Sequence, residues 1–180
     1  MTQVSARLAS LSPSATLAMS QKSSELKAQG VDVINLSVGE PDFNTPQHII
    51  DAAKEALDKG YTKYTPSSGL PALRKKIAEK LKEEQGLDYD PSQIIVSSGA
   101  KHSIFNAMFA LIEEGDEVII PSPYWLTYPE VVKVCGGVSV FVKGHRENHF
   151  KIDPADLKKA ITSKTKMLVF NSPSNPTGSV

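Results

Sequence analysis

The sequence predicts an α/β protein, and three observations predict it. Helix-like and strand-like stretches alternate along the chain, as that class requires. The runs at 117–120 (Glu-Val-Ile-Ile), 138–142 (Val-Ser-Val-Phe-Val) and 167–170 (Met-Leu-Val-Phe) are short, apolar and rich in β-branched residues, the mark of buried strands. Loops of Gly, Pro, Ser and Asn follow such runs, at the strand ends where α/β sheets keep their ligands.

Taken in order, residues 14–29 read as a helix stopped by Gly30, with a strand at 33–36 (Val-Ile-Asn-Leu). Residues 37–46 form a loop, in which Thr45 and Pro46 read as an N-cap and a first-turn proline. Ile49, Ile50, Ala53 and Leu57 then give the next helix one apolar face as far as Gly60. A further helix opens at Pro71, with Leu73, Ile77 and Leu81 four apart and the charges of 74–84 on a solvated face. Residues 93–97 read as a buried strand, Ser98-Gly99-Ala100-Lys101 as a tight turn, and 103–112 as a helix with Ile104, Phe105, Met108, Leu111 and Ile112 inward. After the strand at 117–120, residues 121–129 read as a proline-punctuated loop.

Composition excludes several classes. The 180 residues are 40% hydrophobic and carry 20 basic and 20 acidic side chains, so there is enough apolar material for a core and no basic excess for nucleic acid. No stretch approaches a membrane span, and the first fifteen residues lack the apolar segment of a secretory signal, so a cytoplasmic protein is expected. The single cysteine, Cys135, excludes an internal disulfide and reads as a buried thiol. His145 and His149 are four apart beside Gly144 with no completing carboxylate or cysteine cluster, and read as exposed loop histidines instead of metal ligands. His48 and His102 have no visible partners.

Three loops hold candidate chemistry. Small residues opening a helix after a strand, as at Gly99-Ala100-Lys101, let free N–H groups and the helix dipole converge where a phosphate can sit, although many such turns bind nothing. No G-x-G-x-x-G or P-loop pattern is present. Trp125, the only tryptophan, lies in a loop beyond a strand end, where it can stack on a planar ligand or cover the edge of the core. Asn175 lies in Asn171-Ser172-Pro173-Ser174-Asn175-Pro176-Thr177-Gly178, which is either a Pro-rich turn or a rigid loop presenting an amide to a ligand.

In order along the chain, Gly39-Glu40-Pro41-Asp42-Phe43 with Thr45-Pro46, Lys63-Tyr64-Thr65 with Gly69-Leu70, Ser98-Gly99-Ala100-Lys101, Ser122-Pro123-Tyr124-Trp125 with Tyr128-Pro129, and the octapeptide from Asn171 resemble the class I aminotransferases of pyridoxal-phosphate fold type I. The resemblance covers essentially the whole chain and is strongest to the bacterial-type aspartate aminotransferases. It implies a three-layer α/β/α large domain with a mostly parallel sheet, plus part of a small domain. Residues 1–44 would be the arm and the start of the small domain. Residues 45–180 would be the front, incomplete portion of the large, cofactor-binding domain.

The resemblance also implies roles. Gly99, Ala100 and Lys101 match the cradle of the pyridoxal 5'-phosphate phosphate group. Trp125 matches the aromatic against the cofactor ring, with an indole N–H able to reach a substrate carboxylate. Asn175 matches the donor to the cofactor's phenolic oxygen, and Gly39 the backbone that meets the substrate's α-carboxylate. Tyr64 matches the tyrosine that reaches the phosphate of a neighbouring subunit, which implies a homodimer with shared active sites. The family's catalytic, Schiff-base lysine is expected beyond Val180, and Lys101, at the phosphate end, is not a substitute for it.

The implied reaction is transamination of an amino acid with a 2-oxo acid: L-aspartate and 2-oxoglutarate to oxaloacetate and L-glutamate in the full-length protein. Some bacterial-type members also accept prephenate, and there a threonine in a Pro-Ser-x-Thr segment and the lysine of the Gly-x-Lys turn matter; Thr16 and Lys101 occupy those positions. A catalytically silent fragment, or a binding module like the aminotransferase-like domains of some transcription regulators, are the alternatives.

Overall fold

The computed structural model describes residues 4–180, and the first three residues of the expected arm lie outside it. The chain divides into two compact units, one formed by the residues up to Ser14 together with Ser98–Val180, the other by Ala15–Ser97.

The unit Ala15–Ser97 is helical. It contains α2 (Ala15–Ala28), α3 (Gln47–Asp58) and α4 (Pro71–Gln85), following the short α1 (Ala6–Ala9) of the other unit. Pro71 starts α4 as expected, because a proline at N1 has no N–H to leave unsatisfied. At α3 the expectation is off by one: Pro46 is itself the N-cap, and Thr45 makes no cap. Arg74 on α4 donates from Nε to the Ile94 carbonyl (2.8 Å) and from Nη1 to Ser68 Oγ (3.0 Å), while the Val96 N–H donates to the Ser68 carbonyl (3.0 Å). These bonds hold 94–97 extended, but it is not a strand.

The strands expected at 33–36 and 93–97 are both corrected by the structure. Among the described residues neither has a ladder partner, and a strand exists only by pairing. Ile34, Leu36 and Ile95 are accordingly 84%, 91% and 71% exposed. The front of the second run becomes a 3₁₀ turn at Pro91–Gln93, fixed by a reciprocal capping box between Asp90 and Gln93.

The sheet lies in the other unit. Here β1 (Glu117–Ser122) is central, flanked in parallel by β2 (Val138–Lys143) and β3 (Thr165–Leu168), in the order β2-β1-β3. Ile120 faces Phe141 in the β1–β2 register, and Val118 faces Met167 in the β1–β3 register after an irregularity at Glu117/Val118. Parallel neighbours require crossover connections. These are α6 (Thr127–Val134) and α7 (Pro154–Ala160), the latter capped by Asp153 Oδ1 accepting from the Ala155 N–H at 2.7 Å.

The helix α5 (Ala100–Leu111) begins three residues before the expected start and takes in Ala100 and Lys101 of the supposed turn. Met108 and Ile112 are buried as expected and Ile104 and Phe105 pack against the core, but Leu111 is more than half exposed. The expected loop 121–129 is shorter than read, since β1 runs to Ser122 and α6 starts at Thr127. The core comprises Met108, Ile112, Val118, Ile120, Tyr128, Val131 and Val132. Cys135 is half-buried, and burial pushes its thiol pKa up, as an unreactive structural thiol requires. His145 and His149 are exposed.

The segment before α2 is tied to α6. Glu130 Oε2 accepts the Ser12 N–H at 3.0 Å while Oε1 accepts from Lys133 Nζ at 2.8 Å. The Lys133 hydrogen bond holds the Glu130 carboxyl below its usual range, burial opposes this, and the Ser12 N–H adds to the lowering. A depressed folded-state pKa stabilises above the unfolded carboxylate range, and the contribution disappears as the pH falls through the folded value. The half-exposed pair makes this no more than about 1 kcal/mol. As the pH falls through the folded Glu130 value, the protection factor of the Ser12 amide, taken against its intrinsic exchange rate at each pH, should therefore drop, and Glu130→Gln should remove most of that pH dependence; an identical profile in the variant would disprove the tie.

Candidate functional site

Two loops at the carboxyl ends of β1 and β3 and the N-terminus of α5 carry the chemistry. Gly99 is the N-cap of α5 at φ 85°, ψ 164°, a conformation open to glycine but strained for other residues. Having no side chain, it forms no cap bond, and a Cβ built there would meet nothing within 4 Å. The first N–H groups of the helix thus stay open at its positive end. The turn is held from behind instead, since His102, three residues into the helix, accepts the Ser98 N–H at Nδ1 (3.2 Å). Sequence reasoning gave His102 no partner; its N3 position, where capping-box residues reach back, was the available signal.

Lys101 extends from the first turn of α5 to the loop after β1, its Nζ 5.2 Å from the centre of the Trp125 ring. Trp125 is half-buried and meets Tyr128 of α6 edge-on, with centroids 5.6 Å apart and planes at 85°. The preceding Tyr124 stacks on Phe141 of β2 at 4.9 Å. Burial raises the Tyr128 phenol pKa, so it is a neutral packing group.

Asn175 lies beyond β3. Asn171 Oδ1 accepts the Asn175 N–H at 2.7 Å, and the Gly178 N–H donates to the Ser174 carbonyl while the Ser174 N–H donates to that of Ser179. These bonds buckle the loop onto itself, with Asn175 exposed at the cleft. The Ser122-Pro123, Ser172-Pro173 and Asn175-Pro176 peptides are cis. Between the two loops is a cleft of about 300 Å³, to which Tyr124, Phe150, Asn171 and Asn175 contribute. Neither Asn171 nor Phe150 was singled out from sequence. An Asn four residues before another in a turn is a readable pattern, whereas nothing local marks Phe150, which is in place because both it and His149 adopt positive φ.

The geometry thus brings Gly99, Ala100, Lys101 and Trp125 together, with Asn175 on the neighbouring strand end. Thr16, Gly39 and Tyr64 belong to the unit Ala15–Ser97. There Thr16 is half-buried in the first turn of α2, Gly39 lies in an open loop, and Tyr64 is fully exposed. Among the described residues no cluster of His, Cys, Asp and Glu could hold a metal ion, and no helix is long and apolar enough to cross a membrane. An uncapped helix start beside a cation, a planar aromatic and an exposed amide suit a ligand with an anionic group, a ring and a hydrogen-bond acceptor. Pyridoxal phosphate has all three.

The parallel strands with candidate residues in the loops at their carboxyl ends are the topology of an α/β protein. Residues 31–180 match the family Aminotransferase class I and II, and the chain belongs to it. It is 60% identical to the aspartate aminotransferase of Geobacillus stearothermophilus over 174 residues, 97% of this chain and 44% of that protein. It is 49% identical to the aspartate/prephenate aminotransferase of Thermus thermophilus, over 98% of this chain and 46% of that one. The structure of Thermus thermophilus aspartate aminotransferase with maleate superposes with a TM-score of 0.94 at 48% identity, covering 98% of this chain and 46% of that one. The fold is therefore that of pyridoxal-phosphate fold type I, and the chain spans less than half the length of the relatives it matches.

Proposed function

We propose that the protein carrying this chain is a pyridoxal-phosphate-dependent aminotransferase that moves the amino group of L-aspartate to 2-oxoglutarate, giving oxaloacetate and L-glutamate. The observation that carries the reading is the meeting of Lys101 and Trp125 at the uncapped N-terminus of α5. When bound, the cofactor supplies the electron sink that makes an amino acid's α-proton acidic. The Gly99, Ala100 and Lys101 N–H groups hold the phosphate dianion, which the helix dipole favours. Trp125 lies against the ring, and the Asn175 amide donates to the phenolic oxygen and favours its anionic form. On the other unit, the Gly39 backbone meets the substrate's α-carboxylate, and Tyr64 reaches the phosphate of a neighbouring subunit in a cytoplasmic homodimer. The Thermus thermophilus structure is that of the enzyme with maleate, a four-carbon dicarboxylate like aspartate and oxaloacetate, which supports that substrate class.

A second reading adds prephenate as an amino acceptor. Thr16 and Lys101 support it, as do relatives named for both activities, including a probable aspartate/prephenate aminotransferase of Rhizobium leguminosarum at 58% identity. The family's catalytic lysine is expected outside these 180 residues. Borohydride reduction of the longer protein with pyridoxal phosphate should therefore add one reduced cofactor to a lysine outside this chain. Parallel assays with 2-oxoglutarate and prephenate then decide between the readings. No adduct and no transamination would overturn both.

A further inference from the structure

We propose that Asn171 is a positioning residue for Asn175, a latch between the end of β3 and the loop that carries the candidate donor. The inference rests on reading the Asn175 amide as the donor to the cofactor's phenolic oxygen. The strand side of the latch is fixed. The Val169 N–H donates to the Ile119 carbonyl at 2.9 Å, and the Val169 side chain packs against the core. Asn171 follows two residues later.

The loop side is tied to itself. The Ser174 N–H donates to the Ser179 carbonyl (2.8 Å), the Gly178 N–H to the Ser174 carbonyl (2.7 Å) and the Ser179 N–H to Thr177 Oγ1 (3.2 Å), so these bonds all close within 174–179. No apolar side chain of 171–180 belongs to the core cluster or to the hydrophobics packed against it. Among the described residues, the bond from the Asn175 N–H to Asn171 Oδ1, at 2.7 Å, is the one hydrogen bond that joins this knot to the strand side. Ser172 and Pro173 lie between; the proline ring fixes its own φ, but the other rotations would let the knot swing as a body. Both asparagines line the cleft, so such a swing changes where the Asn175 amide can reach. Asn171 holds the backbone of Asn175 and acts on the cofactor through that amide.

The first test is amide exchange in the longer protein without cofactor, comparing Asn171→Ala with Asn171→Asp, whose carboxylate keeps the acceptor. In Asn171→Ala the Asn175 amide should lose about three- to tenfold in protection while the Ser174 and Gly178 amides keep theirs, and Asn171→Asp should restore it. Unchanged protection at Asn175, or an equal loss at Ser174 and Gly178, would overturn the latch. The second test follows the absorption of bound pyridoxal phosphate against pH. A donor to the phenolic oxygen favours its anionic form, so Asn171→Ala should raise the pH midpoint by about half a pH unit. In an Asn175→Ala background the same substitution should shift nothing further. A shift of equal size in both backgrounds would overturn positioning in favour of direct contact between Asn171 and the cofactor. If Asn175→Ala itself leaves the midpoint unchanged, the donor reading falls and the positioning role with it, while the exchange result still decides the hydrogen bond.

Discussion

Ile120→Ala is expected to lower the unfolding free energy of the sheet-containing unit by about 3 to 4 kcal/mol. Ile120 is fully buried in the central strand, with strands on both sides, and packs in the cluster with Met108, Tyr128, Val131 and Val132. Truncation removes the transfer free energy of three carbons and leaves a void that β1, paired on both edges, cannot collapse to fill. Ile120 also lines the cleft below Tyr124, so the void would open under the candidate site. Urea unfolding followed by Trp125 emission reads this unit specifically and avoids treating two units as one transition. Ile120→Val should cost about 1 kcal/mol on the same scale. A loss below that for alanine would show that Ile120 is not at the centre of the core.

Gly144→Ala should cost about 3 kcal/mol or displace the segment that follows it. Gly144 is buried just after β2, and its N–H donates to the Ser122 carbonyl at 2.8 Å. A Cβ there would overlap the Phe150 carbonyl oxygen and lie 2.8 Å from its carbon and 2.9 Å from the Ser122 oxygen. These are backbone atoms, which cannot swing aside as a side chain would. Since Phe150 lines the cleft, its displacement would alter the site as well as stability. Gly39→Ala, where nothing lies within 4 Å, is the matched control and should stay within about 0.5 kcal/mol. Equal melting temperatures for the two variants would contradict this account.

The helices α2, α3 and α4 and, to within three residues, α5 and the three strands were legible because their determinants are local, whereas α1, α6 and α7 were not read from the sequence. Pro71 at N1, the apolar spacing of α5 and the β-branched run of β1 act within a few residues of themselves. The five ordered motifs likewise sufficed for the family, because each loop carries its own turn chemistry. Residues 33–36 and 93–97 were misread as strands for the complementary reason. Their composition suits a strand, but hydrogen bonds to a neighbour make one, and among the described residues no neighbour pairs with them.

Sequence by itself thus determined the α/β class, the starts of α2, α3 and α4, the family and the residues to inspect. Only the tertiary structure decided that Lys101 reaches the Trp125 face, that Asn171 buckles the loop bearing Asn175, and that the Phe150 backbone fills the space Gly144 leaves empty. The last of these depends on chain paths that converge in space with no short-range pattern to announce them. The Lys101–Trp125 contact spans 24 residues, and it forms because packing of α5 and α6 over β1 brings the first turn of α5 within reach of the loop that precedes α6.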